Sequence, residues 1–269
     1  MKKLVLLLAS VLTISSVGAQ TSNFGKRGLE ATVILANRTL SEEGKAFVKK
    51  YLGQSFFEDV QYLYGLEMKG EATHSTDIHY LYLDKDFKPI KSNPENLISK
   101  IEESMAVVRD RKNKSRDEVV YALHTIINLM SDMHNIGHIR LESVPYSMQD
   151  FQIFCWRGDT PKYKKRKTPV EWSKFWGSYT GAQTGTTSNM WANEYEWAHG
   201  DKAKEFAAGS LYDWAADMGK VANEMYKWAA PGYEMSRLQN MELRDLHNEM
   251  LAKLSYRLGA MFEMLAKEE

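Results

Sequence analysis

The sequence contains one cysteine, Cys155, in 269 residues, and it has no excess of charge of either sign, since 35 Lys and Arg face 35 Asp and Glu. A single cysteine cannot form a disulfide within the chain, and zinc sites that need two or four cysteines are excluded. The balanced charge excludes a basic coat protein for nucleic acids, because binding phosphates without reading bases requires a cationic excess. Any metal site must therefore be built from carboxylates, water and some of the seven histidines.

Long apolar runs are missing except near the N-terminus. Two lysines at the start are followed by an apolar run over residues 4–14 and by small residues up to Ala19. This run is too short to span a bilayer, and the pattern is typical of a cleaved secretory signal, with a buried N-terminal helix as the alternative. We therefore predict a signal peptide over residues 1–19, one domain over residues 20–269, and a secreted or periplasmic protein without a transmembrane segment.

Helical patterns recur along most of the remaining chain, whereas strand patterns are few and short. Residues 39–42 and 115–118 resemble capping boxes, which mark the starts of helices. We predict amphipathic helices over residues 212–228 and 246–265, and strands over residues 78–83 and 150–156. Residues 145–185 are poor in helical pattern and rich in proline and glycine, which is typical of an irregular excursion with a hairpin. Because 43% of the residues are hydrophobic, the chain can bury a sizeable core. We predict a mainly α, single-domain helical bundle with one irregular excursion.

The most informative stretch for function is residues 122–138, which end a predicted helix. Asn128 and Asp132 are four residues apart, so their side chains share one helical face. His134 and His138 follow at the helix end, where the chain can turn back towards that face. Such a cluster can form a metal site with oxygen and nitrogen ligands. The alternative interpretation is that these side chains cap the helix and interact with its dipole.

Several elements, in the right order, resemble the zinc-dependent S1/P1 nucleases, which are relatives of the zinc phospholipases C. The family's His-x-x-x-Asp-x-His-x-x-x-His motif is similar to residues 128–138, which read Asn-Leu-Met-Ser-Asp-Met-His-Asn-Ile-Gly-His. Further similar elements are the opening Trp-Gly-x-x-Gly-His motif at residues 24–29, the Trp-x-Asp element at 56–59, the Trp-His-Tyr element at 77–80 and the Arg-Leu-Ala pattern at 256–260. The resemblance therefore spans nearly the whole mature chain.

The resemblance implies a mainly α fold of the phospholipase C/P1 nuclease type with three zinc ions in a cleft. In the family these ions activate water and stabilise phosphodiester oxygens during hydrolysis of single-stranded nucleic acid. By resemblance, Asp59, His79 and Asp132 are ligands of the first ion, and Asn128 stands where the family has a fourth ligand, a histidine. An amide is a weak, neutral ligand for zinc. The second ion would keep only His138.

Five positions that the resemblance assigns to ligands carry other residues, namely Phe24, Leu29, Asn128, Trp191 and Tyr195. Phe24 and Leu29 fall in the opening motif, and Trp191 and Tyr195 fall where a later histidine and aspartate are needed. We therefore expect at most one zinc ion. The side chains left to hold it are Asp59, His79, Asp132 and His138, with Asn128 as a weak additional ligand. The alternative is that these side chains are structural, satisfy one another and hold no ion.

We expect an exported S1/P1 nuclease-like protein that hydrolyses phosphodiester bonds weakly or has lost this activity and become a pseudoenzyme. Its expected partner is single-stranded nucleic acid or a nucleotide. The alternative is a non-catalytic protein on the same scaffold that binds a ligand or a partner in the cell envelope. An aromatic-rich region bears on this choice, because aromatic rings stack on nucleobases or pack in the core. It comprises Trp172, Trp176, Tyr179, Trp191, Tyr195 and Trp197.

Overall fold

The fold is given by a computed structural model, which describes residues 25–53, 78–145, 151–157, 166–172, 175–176 and 186–268. The described chain is mainly helical, which confirms the predicted fold class. The predicted signal peptide, Phe24 and Asp59 lie outside the described residues. Within the described residues, every helix is too short or too polar to cross a bilayer.

Short strands stand among the helices of the described residues. The helices are α1 (Gly25–Thr39), α2 (Glu42–Leu52), α3 (Leu97–Arg109), α4 (Arg116–Met133), α5 (Ser188–His199), α6 (Ala203–Ala207), α7 (Leu211–Trp228) and α8 (Arg237–Lys267), with 3₁₀ turns at Ile136–His138 and Gly200–Lys202. The strands are β1 (Leu81–Leu83), β2 (Ile139–Leu141), β3 (Gln152–Arg157), β4 (Arg166–Glu171) and β5 (Glu234–Met235).

The helix α4, which carries Asn128 and Asp132 of the predicted site, begins at the predicted capping box. The hydroxyl of Ser115 accepts a hydrogen bond from the backbone N–H of Glu118 at 3.2 Å, and the Glu118 carboxylate accepts one from the N–H of Ser115 at 2.8 Å. These two bonds satisfy backbone donors that a helix start otherwise leaves without partners. The start of α4 is therefore fixed by local sequence, as predicted.

The capping box predicted for residues 39–42 is wrong, although a helix does begin there. The hydroxyl of Thr39 donates back to the carbonyl of Ala36 at 2.7 Å. Ser41 is the residue that caps α2, and its hydroxyl accepts from the N–H of Gly44 at 3.2 Å. The same serine is bound by the Glu263 carboxylate of α8 through its N–H and its hydroxyl. The cap of α2 is therefore Ser41, which a distant helix also holds, and not the predicted Thr39.

The long helix α8 forms the centre of the bundle, and α1, α2, α5 and α6 pack against it. Its predicted apolar stripe is confirmed, because Met250, Leu254 and Leu258 are buried in the core. Burying each such side chain stabilises the fold by about 1.5–3 kcal/mol. Close contact with α1 depends on Gly259, since a Cβ there would lie 2.1 Å from the hydroxyl of Thr39.

Two small sheets flank the helices. The strands predicted near residues 78–83 and 150–156 are present as β1 and β3, and β3 pairs with β4 as the antiparallel hairpin expected in the irregular region. Strand β5 adds to β3 in parallel. Strand β2 was not predicted, and it pairs with β1 in parallel, with Leu81 opposite Ile139 and Leu83 opposite Leu141. This last pairing positions the candidate site, because predicted ligands stand just before both strands.

Candidate metal centre

Three of the predicted metal ligands come together at the end of α4. His79, Asp132 and His138 each offer one ligand atom, and these atoms lie within 4.8 Å of one another. Nδ1 of His79 is 2.8 Å from Oδ2 of Asp132, and Nδ1 of His138 is 3.6 Å from Oδ1 of the same carboxylate. We call these three residues the triad. The fourth predicted ligand, Asp59, lies outside the described residues.

Local structure explains how the triad is assembled. Asp132 lies one residue before the end of α4, and the 3₁₀ turn that follows carries His138. The side chain of Asn135 shapes this turn by accepting a hydrogen bond from the N–H of Gly137 at 2.9 Å. The parallel pairing of β1 with β2 then brings His79 alongside. The two imidazoles thus reach the carboxylate from separate parts of the chain.

The triad is buried on one side and accessible on the other. The side chains of Asp132 and His138 are 6% and 3% exposed, whereas that of His79 is 14% exposed. A buried carboxylate is costly unless a cation or hydrogen-bond donors compensate it. The imidazole of His79 partly compensates Asp132, and a bound cation would do so more completely. His79 is the most exposed member of the triad.

The hydrogen bonding of His138 fits metal ligation. Its Nδ1 lies 2.9 Å from the backbone carbonyl oxygen of His79. Because a carbonyl only accepts, Nδ1 must carry the proton, and the lone pair of the neutral ring is then on Nε2. Metal-binding histidines almost always donate their other ring N–H to a carbonyl or a carboxylate in this way. The donor set of two imidazoles and one carboxylate fits a single zinc ion with one position for water.

Asn128, the predicted weak ligand, lies on α4 four residues before Asp132 and is partly exposed. Its spacing places it on the same helical face as Asp132. A neutral amide oxygen adds no charge to the triad. Its role as an additional ligand stays a prediction.

His134, which lies between two members of the triad in sequence, does not join them. Its Nδ1 lies 2.8 Å from the carbonyl oxygen of Met130, and its Nε2 lies 3.1 Å from Nη1 of Arg257. Since the carbonyl must accept and the guanidinium must donate, both ring nitrogens are engaged. Burial, together with the charge of Arg257, lowers the pKa of His134 to about 3. The ring is therefore neutral and structural.

The partner of His134 belongs to a buried charge network that the sequence did not reveal. Arg257 donates to the carboxylate of Asp217 and to the carbonyl of Phe206, and Nζ of Lys253 lies 3.0 Å from the same carboxylate. Burial raises the pKa of Asp217, but the hydrogen bond and charge of Arg257 outweigh burial and lower it overall. These contacts join α7 to α8 and involve no member of the triad.

The described positions where the resemblance expects further ligands belong to the hydrophobic core. Leu29 on α1 and both Trp191 and Tyr195 on α5 are buried. The indole N–H of Trp191 donates to the hydroxyl of Thr186 at 2.6 Å, and burial raises the pKa of the Tyr195 phenol. Within the described ranges, the triad is the only place where three or more histidine, cysteine or acidic side chains converge at metal-binding distances.

The aromatic-rich region is mostly core. Trp172, Trp176, Trp191 and Tyr195 are buried, which confirms the packing interpretation for these four rings. The ring of Trp176 lies against that of His247, with centroids 5.1 Å apart. Trp197 differs, because it is 90% exposed on α5. Four of the six rings are thus not available as a platform for nucleobases, and Tyr179 lies outside the described residues.

Comparison of the chain with models of known protein families, and with curated proteins, finds no match. The motifs and the geometry of the triad therefore carry the functional assignment, which is a proposal.

Proposed function

We propose that this protein is an exported, divergent relative of the S1/P1 nucleases with a metal cleft reduced to a single zinc ion. His79, Asp132 and His138 are its ligands, and hydrolysis of phosphodiester bonds in single-stranded nucleic acid is weak. The observation that supports this proposal is the convergence of the triad. His79 and Asp132 are 53 residues apart in sequence, yet Nδ1 of His79 lies 2.8 Å from Oδ2 of Asp132. Both residues stand at positions where the family motifs have ligands.

The roles of the three side chains follow from their surroundings. A zinc ion at this position would supply a Lewis acid and a bound water of lowered pKa. Asp132 provides the negative charge that holds the cation, and its burial strengthens that attraction. His138 has its tautomer fixed by the carbonyl of His79. The more exposed ring of His79 lies at the side from which a substrate can approach.

The low activity that we propose has a specific cause. Multi-metal phosphoesterases stabilise both the attacking and the leaving oxygen, each with its own ion. Leu29, Trp191 and Tyr195 fill the corresponding positions with core side chains and offer no ligand beyond a phenol that burial keeps protonated. The triad would hold one ion, which would supply a Lewis acid, and Leu29, Trp191 and Tyr195 would hold no second ion to balance the charge on the leaving oxygen.

The proposal is tested by measuring metal content and cleavage together on the mature chain. We expect one zinc per chain by elemental analysis, and slow, chelator-sensitive cleavage of a single-stranded oligonucleotide. Asp132→Ala should weaken zinc binding by a factor on the order of 100, because it removes the only charged ligand of the triad. Asp245→Ala is the matched control, since the side chain of Asp245 is 75% exposed.

Two results would contradict the proposal in different ways. Three zinc ions per chain would show that the cleft is not reduced. Absence of zinc, with wild type and Asp132→Ala alike in every assay, would remove the metal-dependent function altogether.

A second candidate function is binding without catalysis, and exposed apolar side chains on α5 favour it. Trp197 is 90% exposed and Met190 is 48% exposed. They are seven residues apart, which is two helical turns, so they lie on one face. Large contiguous apolar patches on a surface mark interaction sites, and two side chains on one face can form part of such a patch. A stable complex with a cell-envelope protein that is lost in Trp197→Ser and retained in Asp132→Ala would favour this candidate.

A further inference from the structure

A column of stacked groups covers one face of the ligand His138. The ring of Tyr80 lies against the imidazole of His138, with centroids 5.5 Å apart and planes inclined by 30°. The guanidinium of Arg140 lies over the same tyrosine ring, with Cζ 4.1 Å from its centroid. We call Arg140, Tyr80 and His138 the column.

The column is a product of the β1–β2 pairing. Tyr82 is opposite Arg140 in the parallel register, and Tyr80 immediately precedes β1 as His138 precedes β2. The guanidinium also donates from Nη1 to the carbonyl of Gly137 at 3.3 Å, which ties it to the turn that carries the ligand. The sheet and the turn therefore hold the column at both ends.

The charge of Arg140 is directed to this column. The guanidinium of Arg140 contacts the ring of Tyr80 and the carbonyl of Gly137. A guanidinium stacked on an aromatic face gains cation–π attraction, and arginine suits this geometry better than lysine does. The arginine is thus placed where it clamps the tyrosine against the imidazole.

We propose that Tyr80 and Arg140 are positioning residues for the metal ligand His138. The hydrogen bond from Nδ1 of His138 to the carbonyl of His79 fixes one point of the imidazole, and the stacked tyrosine fixes the plane of the ring. Together they hold the ligand nitrogen in one orientation relative to Asp132. This inference rests on the proposed metal-binding function, and it assigns to two further residues the task of preorganising the site.

The test measures zinc affinity by competition with a chromogenic chelator. Residues that orient metal ligands typically change metal affinity by about 10- to 100-fold when mutated. We expect Tyr80→Leu to bind zinc at least about tenfold more weakly, Tyr80→Phe to bind within about twofold of wild type because the stacked ring is retained, and Arg140→Gln to fall between them. The matched controls are Tyr121→Leu on the exposed side of α4 and Arg244→Gln on α8, and both should leave the affinity unchanged.

Substitution with cobalt(II) provides a second readout that a merely structural role would not move. We expect the visible absorption of the cobalt-loaded protein to change in Tyr80→Leu and to be restored in Tyr80→Phe. Thermal unfolding in chelator establishes that each variant folds. If Tyr80→Leu does not fold, Arg140→Gln decides the question by the same criteria.

The possible outcomes separate this inference from the function on which it rests. Wild-type zinc affinity in folded Tyr80→Leu and in Arg140→Gln would overturn the positioning role and leave the proposed metal centre intact. Failure of the wild-type protein to bind zinc would overturn both. Loss of affinity in Tyr80→Leu together with recovery in Tyr80→Phe would support the column as described.

Discussion

The triad and the contact between α1 and α5 lie at positions where the family resemblance expects metal ligands, yet they differ in chemistry. At the triad, a buried carboxylate and two imidazoles remain within 4.8 Å of one another. At the α1–α5 contact, Leu29, Trp191 and Tyr195 are buried among other core residues. The triad thus brings ligating side chains together, whereas these three positions carry large side chains of the core. The comparison indicates that the carboxylate and imidazoles of the triad depend on one another, since a lone polar group in a core would be buried without a partner.

The largest expected effect is on the free energy of unfolding, and it tests whether the α1–α5 contact is a packed core. Trp191→Ala should lower the free energy of unfolding by about 3–5 kcal/mol, because it opens a cavity in the core and removes a buried indole. Trp197→Ala on the same helix is the matched control and should change stability by less than about 0.5 kcal/mol, since Trp197 is 90% exposed. Denaturant unfolding in chelator measures both. Equal and small effects would show that the α1–α5 contact is not a packed core.

The next effect is the pH dependence of stability, and it tests whether buried histidines away from the triad are structural. Burial lowers the pKa of His247 to about 3. The unfolded histidine, with its ordinary pKa of 6.5, binds a proton more readily than the folded one, so this contribution to stability is present above pH 6.5 and is lost as the pH falls towards 3. Between pH 7 and pH 5 the loss is about 2 kcal/mol for this histidine.

Replacing His247 should remove the contribution of its ring to the pH dependence of stability. In chelator, His247→Leu should show a fall in stability between pH 7 and pH 5 that is smaller than that of wild type by about 2 kcal/mol. The same pH slope in both proteins would mean that the ring of His247 is accessible to protons in the folded state.

The smallest expected effect is on zinc binding, after a histidine is introduced into each region. Asn128→His on α4 should tighten zinc binding by about tenfold, which corresponds to about 1.4 kcal/mol, because it adds a strong ligand beside Asp132. Leu29→His should leave the zinc stoichiometry unchanged and should destabilise the fold, because the new side chain would be buried among apolar residues. Titration calorimetry with zinc compares the two variants. A second zinc ion in Leu29→His would break the contrast between the regions.

Sequence patterns predicted what is encoded locally. The start of α4 follows from the Ser115–Glu118 pair, and the core face of α8 follows from apolar residues at helical spacing. The approach of Asp132 and His138 was also predictable, because six residues and a turn separate them. The exact start of α2 was not predicted, because it involves a contact between distant segments, in which Glu263 binds Ser41 from across the bundle.

The parts that could not be predicted depend on contacts between distant segments. Strand β2 has three residues, too few to show a period. Its register with β1 sets the stacking of Tyr80 on His138, and no local pattern encodes that register. The engagement of His134 by Arg257, 123 residues away, is equally invisible in a linear pattern. The spacing alone therefore made His134 a candidate ligand, and the packing of α8 gave it another role.

The pairing of His79 with Asp132 has a consequence for the chain as a polymer. The two residues are 53 positions apart, and a metal ion held by both would act as a cross-link that closes the intervening loop. Closing a long loop removes conformational entropy from the unfolded chain, in the same way as a disulfide does. A chain with a single cysteine has no covalent means of doing this. Zinc at the triad would therefore serve as its cross-link, and that contribution to stability does not require any catalytic turnover.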